Sequence, residues 1–210
     1  MCPLLGASED MGPEHIDSSF FKGVRLFHFD GYNFYYEQAI HKAIEEAQMA
    51  HCLISLDLTS YEIVRDQRKY ISNLLHNHSV DILFANPKEA YELTGINDPI
   101  KALHHLSDFC PMVIVMLGEK GSIFKSCDAV IKQPAFQVKT VDTTGAGDNF
   151  VGGFLYGYLT ELPYEECMRL GTLTAAQNVQ ISGGELPLET VERLKEYIRM
   201  TSEFLSSREF

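Results

Sequence analysis

The residues best suited to chemistry lie in one run, Val141-Asp142-Thr143-Thr144-Gly145-Ala146-Gly147-Asp148-Asn149-Phe150. Phe150, Phe154, Leu155 and Tyr158 follow at helical spacing, so the run opens a helix, with Thr143 and Thr144 placed to cap it. Gly145 and Gly147 have no Cβ and let the backbone come close to a ligand. The N–H groups of residues 145–148 point out of the first turn, and with the positive end of the helix dipole they make an anion site. Asp148 stands inside that positive end as a proton acceptor. A cradle for developing negative charge beside a base is what phosphoryl transfer to an alcohol requires. The plainer reading of Gly145-Ala146-Gly147-Asp148 is a tight loop entering a helix, with an acid in its first turn.

The longer Asp142-Thr143-Thr144-Gly145-Ala146-Gly147-Asp148 string is more specific. It closely resembles the C-terminal signature of the ribokinase-like (PfkB-type) carbohydrate and nucleoside kinases. The resemblance covers residues 20–200. It implies an ATP-dependent phosphotransferase acting on an alcohol group of a small molecule. A sugar is the first expectation and a nucleoside the alternative. Asp148 would be the base, with Gly145, Ala146 and Gly147 holding the charge.

Other segments match the same family. Asn86-Pro87-Lys88-Glu89 reads locally as an N-cap, a first-turn proline and a capping box. Its spacing also matches the family's Asn-x-x-Glu element, which implies that Asn86 and Glu89 organise Mg²⁺ through water. Leu117-Gly118-Glu119-Lys120-Gly121 reads locally as a glycine turn. The resemblance implies that Gly118 and Gly121 lie along the nucleotide, with Lys120 either reaching a phosphate or solvated. Ala176 and Gly183 fall where the family closes its adenine pocket, although helix packing and a helix-ending glycine pair account for them equally well. Asp142 and the residues near Gly183 also resemble a loop for a monovalent cation, K⁺.

Two departures stand out. Many sugar kinases carry Asp-x-Asn-x-Arg where this chain has Asp57-Leu58-Thr59-Ser60. The family is also usually longer at its N-terminus, where the first strands, a glycine-rich substrate motif and a lid reside. Their loss would leave an open sheet edge through which copies of the chain could pair. It would also leave little to exclude water from the transferring phosphate, so a nucleotide-binding fragment impaired in catalysis is the second functional expectation.

Composition narrows the class. The 210 residues suffice for a sizeable core, and 45% hydrophobic with 22% charged residues is ordinary for a soluble globular protein. A net charge of −12 argues against a nucleic-acid partner. No apolar run nears the roughly 18–20 residues of a membrane span, and no secretory signal opens the sequence. Five scattered cysteines without a Cys-x-x-Cys pair read as reduced, mostly buried thiols in a cytoplasmic protein. The clusters at His76, His78, His104 and His105 read as solvated helix ends rather than metal sites.

The elements that must position these residues alternate. Strands are expected at 23–30, 53–58, 82–85 and 112–117, with a hairpin from 121–125 and 129–132. Helices are expected at 35–50, 62–76, 87–94, 99–108, 150–159, 164–181 and 188–205. Residues 1–20 read as a flexible arm, and 21–210 as one partial α/β domain. Such alternation implies a mainly parallel sheet with helices on both faces, a three-layer αβα fold. Loops after Asp57, Asn86, Gly118 and Asp142 would converge at the carboxyl ends of the strands.

Overall fold

Each short apolar run between 26 and 116 is bounded by polar punctuation, and in the computed structural model each becomes a strand. The structure describes residues 11–206. The strands are β1 (Leu26–Asp30), β2 (Leu53–Asp57), β3 (Ile82–Ala85), β4 (Met112–Met116), β5 (Ser122–Ser126) and β6 (Ala129–Gln133). They form one sheet in the order β1-β2-β3-β4-β5-β6. The first four are parallel, with Asp30 level with Asp57, Asp57 level with Phe84, and Phe84 level with Ile114. Only Cys127 and Asp128 separate β5 from β6, a connection too short for parallel neighbours, so these two form the expected hairpin.

The helices are α1 (Glu37–Met49), α2 (Tyr61–Asp66), α3 (Arg68–His76), α4 (Pro87–Thr94), α5 (Pro99–Leu106), α6 (Ala146–Leu159), α7 (Tyr164–Asn178) and α8 (Leu188–Ser206). Strand–helix alternation through the parallel part gives the three-layer αβα arrangement. The segment expected as one helix over 62–76 is two. Gln67 leaves helical backbone geometry (φ −104°, ψ 14°). Its N–H still donates to Ile63 O, and its carbonyl still accepts from Ile71 N–H. The break is therefore a bend, and apolar spacing alone does not report a one-residue bend. Of the arm expected over 1–20, residues 1–10 lie outside the described residues. Pro13–His15 and Ser18–Phe21 form 3₁₀ turns.

The described chain makes two compact units. One runs to Val115 and takes in Phe124–Val130; the other comprises Met116–Ile123 and the chain from Ile131 onward. The first unit is built on the parallel strands. Every residue of β3 is buried, as a strand covered on both faces must be. Ile54, Leu56, Ile71, Val113 and Leu103 complete that core. In the second unit α6 and α7 approach closely. A side chain at Gly153 would come within 3.0 Å of the Gly171 Cα and strike Thr174 Oγ1. Phe154, Cys167 and Met168 are fully buried there.

Cys52, Cys110 and Cys167 are buried free thiols and Cys127 an exposed one, and burial pushes Cys110 up to about 12. His76 and His105 sit in the last turns of α3 and α5, packed against Phe109. No helix among the described residues is long and apolar enough to cross a membrane.

Candidate active site

The site residues expected from the sequence divide between the two units.

In the second unit the centre is the entry to α6. Gly145 is its N-cap in the left-handed region (φ 75°, ψ 4°), and the helix begins at Ala146. The chain must turn here with no room for a Cβ. One placed on Gly145 would lie 2.6 Å from the Gly184 Cα. Backbone strain and contact thus both require glycine. Asp148 is exposed in the first turn. The N–H groups of Gly145, Gly147 and Asp148 have no acceptor among the described residues. Ala146 differs from expectation, because its N–H turns back to Thr143 O at 3.2 Å. The open amides of this turn are therefore those of residues 145, 147 and 148.

Two side chains tie this turn to the 183–184 loop, and a third ties it to α7. Asp142 Oδ1 accepts the Thr144 N–H, and Oδ2 accepts the Gly183 N–H, both at 2.9 Å. Those two backbone donors, Gly183 first, hold the Asp142 carboxyl down at about 2. Asn149 donates its side-chain amide to Gly145 O and Gly184 O, each at 2.9 Å. Thr174 on α7 donates to Asn149 O at 2.7 Å, which fixes α6 against α7 at the level of the turn. Asn149 and Thr174 received no role from the sequence, and Gly184 only one beside the adenine. Their partners lie 25 to 35 residues away, beyond the reach of local periodicity.

The other second-unit candidates fall around this centre or apart from it. Gly183 (φ 85°) is brought to Asp142 by the bond just given. Ala176 is buried within α7, with its carbonyl accepting from Gln180. Gly118 and Gly121 both have positive φ and close a tight turn, with Gly121 N–H donating to Gly118 O at 2.9 Å. A Cβ on Gly121 would collide with Gln133 O, so this turn is packed on the start of the segment after β6. Lys120 is exposed.

In the first unit, Asp30, Asp57 and Asn86 mark the carboxyl ends of β1, β2 and β3, the end at which open parallel sheets bind ligands. The local reading of Asn86 is realised in full. Asn86 Oδ1 accepts the N–H of Lys88 at 2.9 Å and of Glu89 at 3.0 Å. Glu89 Oε2 accepts the Asn86 N–H at 2.7 Å, and Oε1 accepts its side-chain amide at 2.5 Å. Glu89 is 1% exposed. Burial pushes its carboxyl up to about 7, against the pull of the Asn86 N–H. Buried, and with both oxygens accepting from Asn86, the Glu89 carboxyl presents no exposed ligand to a metal. Beside Asp57, Thr59 takes a left-handed backbone (φ 62°), and its hydroxyl accepts the Gly31 N–H at 3.2 Å.

Comparison with known proteins fits this architecture. The model of the pfkB family of carbohydrate kinases matches residues 1–191. A deoxyribokinase of Salmonella typhi is 36% identical over 128 residues, which are 57% of this chain and 41% of that protein. The crystal structure of an adenosine kinase from Sinorhizobium meliloti superposes with a TM-score of 0.80 at 31% identity, covering 85% of this chain and 56% of that one. An E. coli protein described as a ribokinase II, in complex with ATP and Mg²⁺, shares the fold with a TM-score of 0.81 at 21% identity, covering 94% and 67%. The chain spans less than half the length of the deoxyribokinase. A family match across most of the chain, with a ribokinase-like fold around the Asp142–Asp148 turn, means that this protein belongs to the pfkB family of carbohydrate kinases.

Proposed function

We propose that this chain carries the nucleotide and phosphoryl-transfer machinery of an ATP-dependent kinase for an alcohol group of a small molecule, a sugar in the first instance. The observation that carries the reading is the α6 entry, where three amides without acceptors among the described residues share the first turn with the exposed side chain of Asp148. Asp148 takes the proton of the acceptor hydroxyl as the oxygen attacks phosphorus. The amides of Gly145, Gly147 and Asp148 meet the charge on the transferring group. Gly118 and Gly121 offer backbone along the nucleotide, with Lys120 free to reach a phosphate. Ala176 and Gly183 border the adenine.

Mg²⁺, when bound with the nucleotide, neutralises phosphate charge. Asn86 and Glu89 fit it only through intervening water, for the reason given above. K⁺, the weaker assignment, would fall to the groups around Gly183. Asp142 is bound to the Gly183 N–H, and Asn178 donates to Gly183 O while its own side-chain oxygen is buried without a partner. In this reading the protein works in the cytoplasm, where its thiols stay reduced. Its β1 edge is where a second copy would pair.

The test compares the full chain with Asp148→Asn in ATP, Mg²⁺, K⁺ and a panel of sugars and nucleosides, with ADP as the readout. The variant should lose turnover by roughly 10² to 10⁴ while nucleotide binding stays largely intact. Equal turnover removes Asp148 from the chemistry. Thermal stabilisation by nucleotide with no ADP from any acceptor refutes catalysis by this chain.

A further inference from the structure

Glycine at position 145 opens the α6 entry to a ligand and also leaves it soft, because glycine populates φ of either sign with similar ease. Its own conformational preference therefore does not keep the chain at φ 75° and ψ 4°. A constraint comes from one turn along the helix. Gly145 O accepts twice from Asn149, from the backbone N–H and from the side-chain amide, both at 2.9 Å. The same side chain donates to Gly184 O at 2.9 Å, and Gly184 is the backbone against which Gly145 lies. Both neighbours of the Asn149 amide are carbonyls, so its nitrogen must face them and its oxygen cannot. Asn149 is itself anchored. Its carbonyl accepts from Thr174 at 2.7 Å, and α6 and α7 approach closely at Gly153 and Gly171.

The open N–H groups of Gly145, Gly147 and Asp148 point where the peptide planes of this turn direct them. A carbonyl rotated toward the same anion would repel it. We infer that Asn149 is a positioning residue for phosphoryl transfer. Its amide, bound to the Gly145 and Gly184 carbonyls at once, sets the direction of the open amides that meet the transferring charge. In this role it touches neither the phosphate nor the acceptor hydroxyl. Donors fixed before the anion arrives need no reorganisation when it does. Neither carbonyl has another side-chain donor among the described residues, so nothing replaces the amide once it is removed. The inference rests on the phosphoryl-transfer reading for what the open amides hold.

The test follows the backbone amide signals of the full chain by NMR during titration with sulfate, alongside the ADP assay. Sulfate is a tetrahedral dianion that does not titrate near neutral pH. In the wild type the signals of Gly145, Gly147 and Asp148 should move. Asn149→Ala removes both side-chain bonds and should weaken sulfate binding at those signals roughly tenfold, with unchanged α7 signals marking the variant as folded. It should also lower kcat and leave the KM of the acceptor alone, because the amides act on charge that develops during transfer. A role confined to stability would lower the unfolding midpoint and move neither sulfate affinity nor kcat of the folded protein. Asn149→Leu, which keeps a branched side chain in the helix without donors, gives the same comparison if the first variant misfolds. Wild-type sulfate affinity in a folded variant overturns the inference and leaves the phosphoryl-transfer reading standing. Sulfate that moves none of the three signals in the wild type removes the anion site and overturns both. Weakened sulfate binding in the variants, with no ADP from any acceptor even in the wild type, upholds the positioning of the amides and overturns transfer by this chain.

Discussion

Exchanging glycine for alanine at positions 145 and 147 applies one chemical change two residues apart, and the structure gives it opposite signs. At Gly145 the backbone is left-handed (φ 75°), which costs a residue with a Cβ roughly 1–2 kcal/mol. The added methyl would also lie 2.6 Å from the Gly184 Cα, a contact with backbone that no rotamer relieves. Overpacking of that kind costs about 1–3 kcal/mol. Gly145→Ala should therefore destabilise the protein by about 2–5 kcal/mol. At Gly147 the chain is already helical, and a Cβ would approach only Met116 Cε, at 3.9 Å. Replacing a helical glycine by alanine gains up to about 1 kcal/mol. Urea unfolding followed by circular dichroism resolves the difference. With a slope of about 2 kcal/mol per molar, a 3 kcal/mol loss lowers the midpoint by about 1.5 M. Gly147→Ala should leave the midpoint level or slightly raised. Equal midpoints for the two variants would show that residues 145 and 184 do not touch and that the turn is not strained, and the account of the site would fail with them.

Other perturbations test the remaining parts. Asp142→Ala removes the acceptor of the Thr144 and Gly183 amides, and hydrogen exchange at both should accelerate relative to amides in α7; unchanged exchange would break the link between the two loops. The Asp142 carboxyl ordinarily ionises near 3.8 and here near 2, so its stabilisation is present above pH 3.8 and disappears as pH falls toward 2. Glu89 behaves oppositely. Unfolding restores its ordinary value of 4.5 from about 7, so stability falls as pH rises across that window, by up to about 3 kcal/mol. Glu89→Gln should flatten that part of the urea-midpoint profile between pH 5 and pH 8, and an unchanged slope would show that the carboxyl is not buried. Asn86→Ala removes the cap of α4 and should cost about 1 kcal/mol in the same unfolding assay, whatever its effect on Mg²⁺.

Much of the architecture follows from local chemistry that the sequence carries openly. Ile82-Leu83-Phe84-Ala85 is short and has no polar member, which suits a strand covered on both faces, and β3 is buried throughout. Asn86-Pro87 and Asp98-Pro99 announce helix starts because cap and proline act within one turn. In both cases the side-chain oxygen accepts the expected amides. The Gly145-Ala146-Gly147-Asp148 turn is legible for the same reason, since a left-handed residue ahead of a helix calls for glycine. Tertiary structure decided what depends on partners distant along the chain. It supplied the apposition of Gly145 and Gly184, the strap from Asn149 across both loops and the clasp of Asp142 on Gly183. It also spent the Ala146 N–H on Thr143 and committed both Glu89 oxygens to Asn86. Residue types and spacing state which groups can donate or accept. Which of them remain open to a ligand is settled only when folding has assigned a partner to every other one.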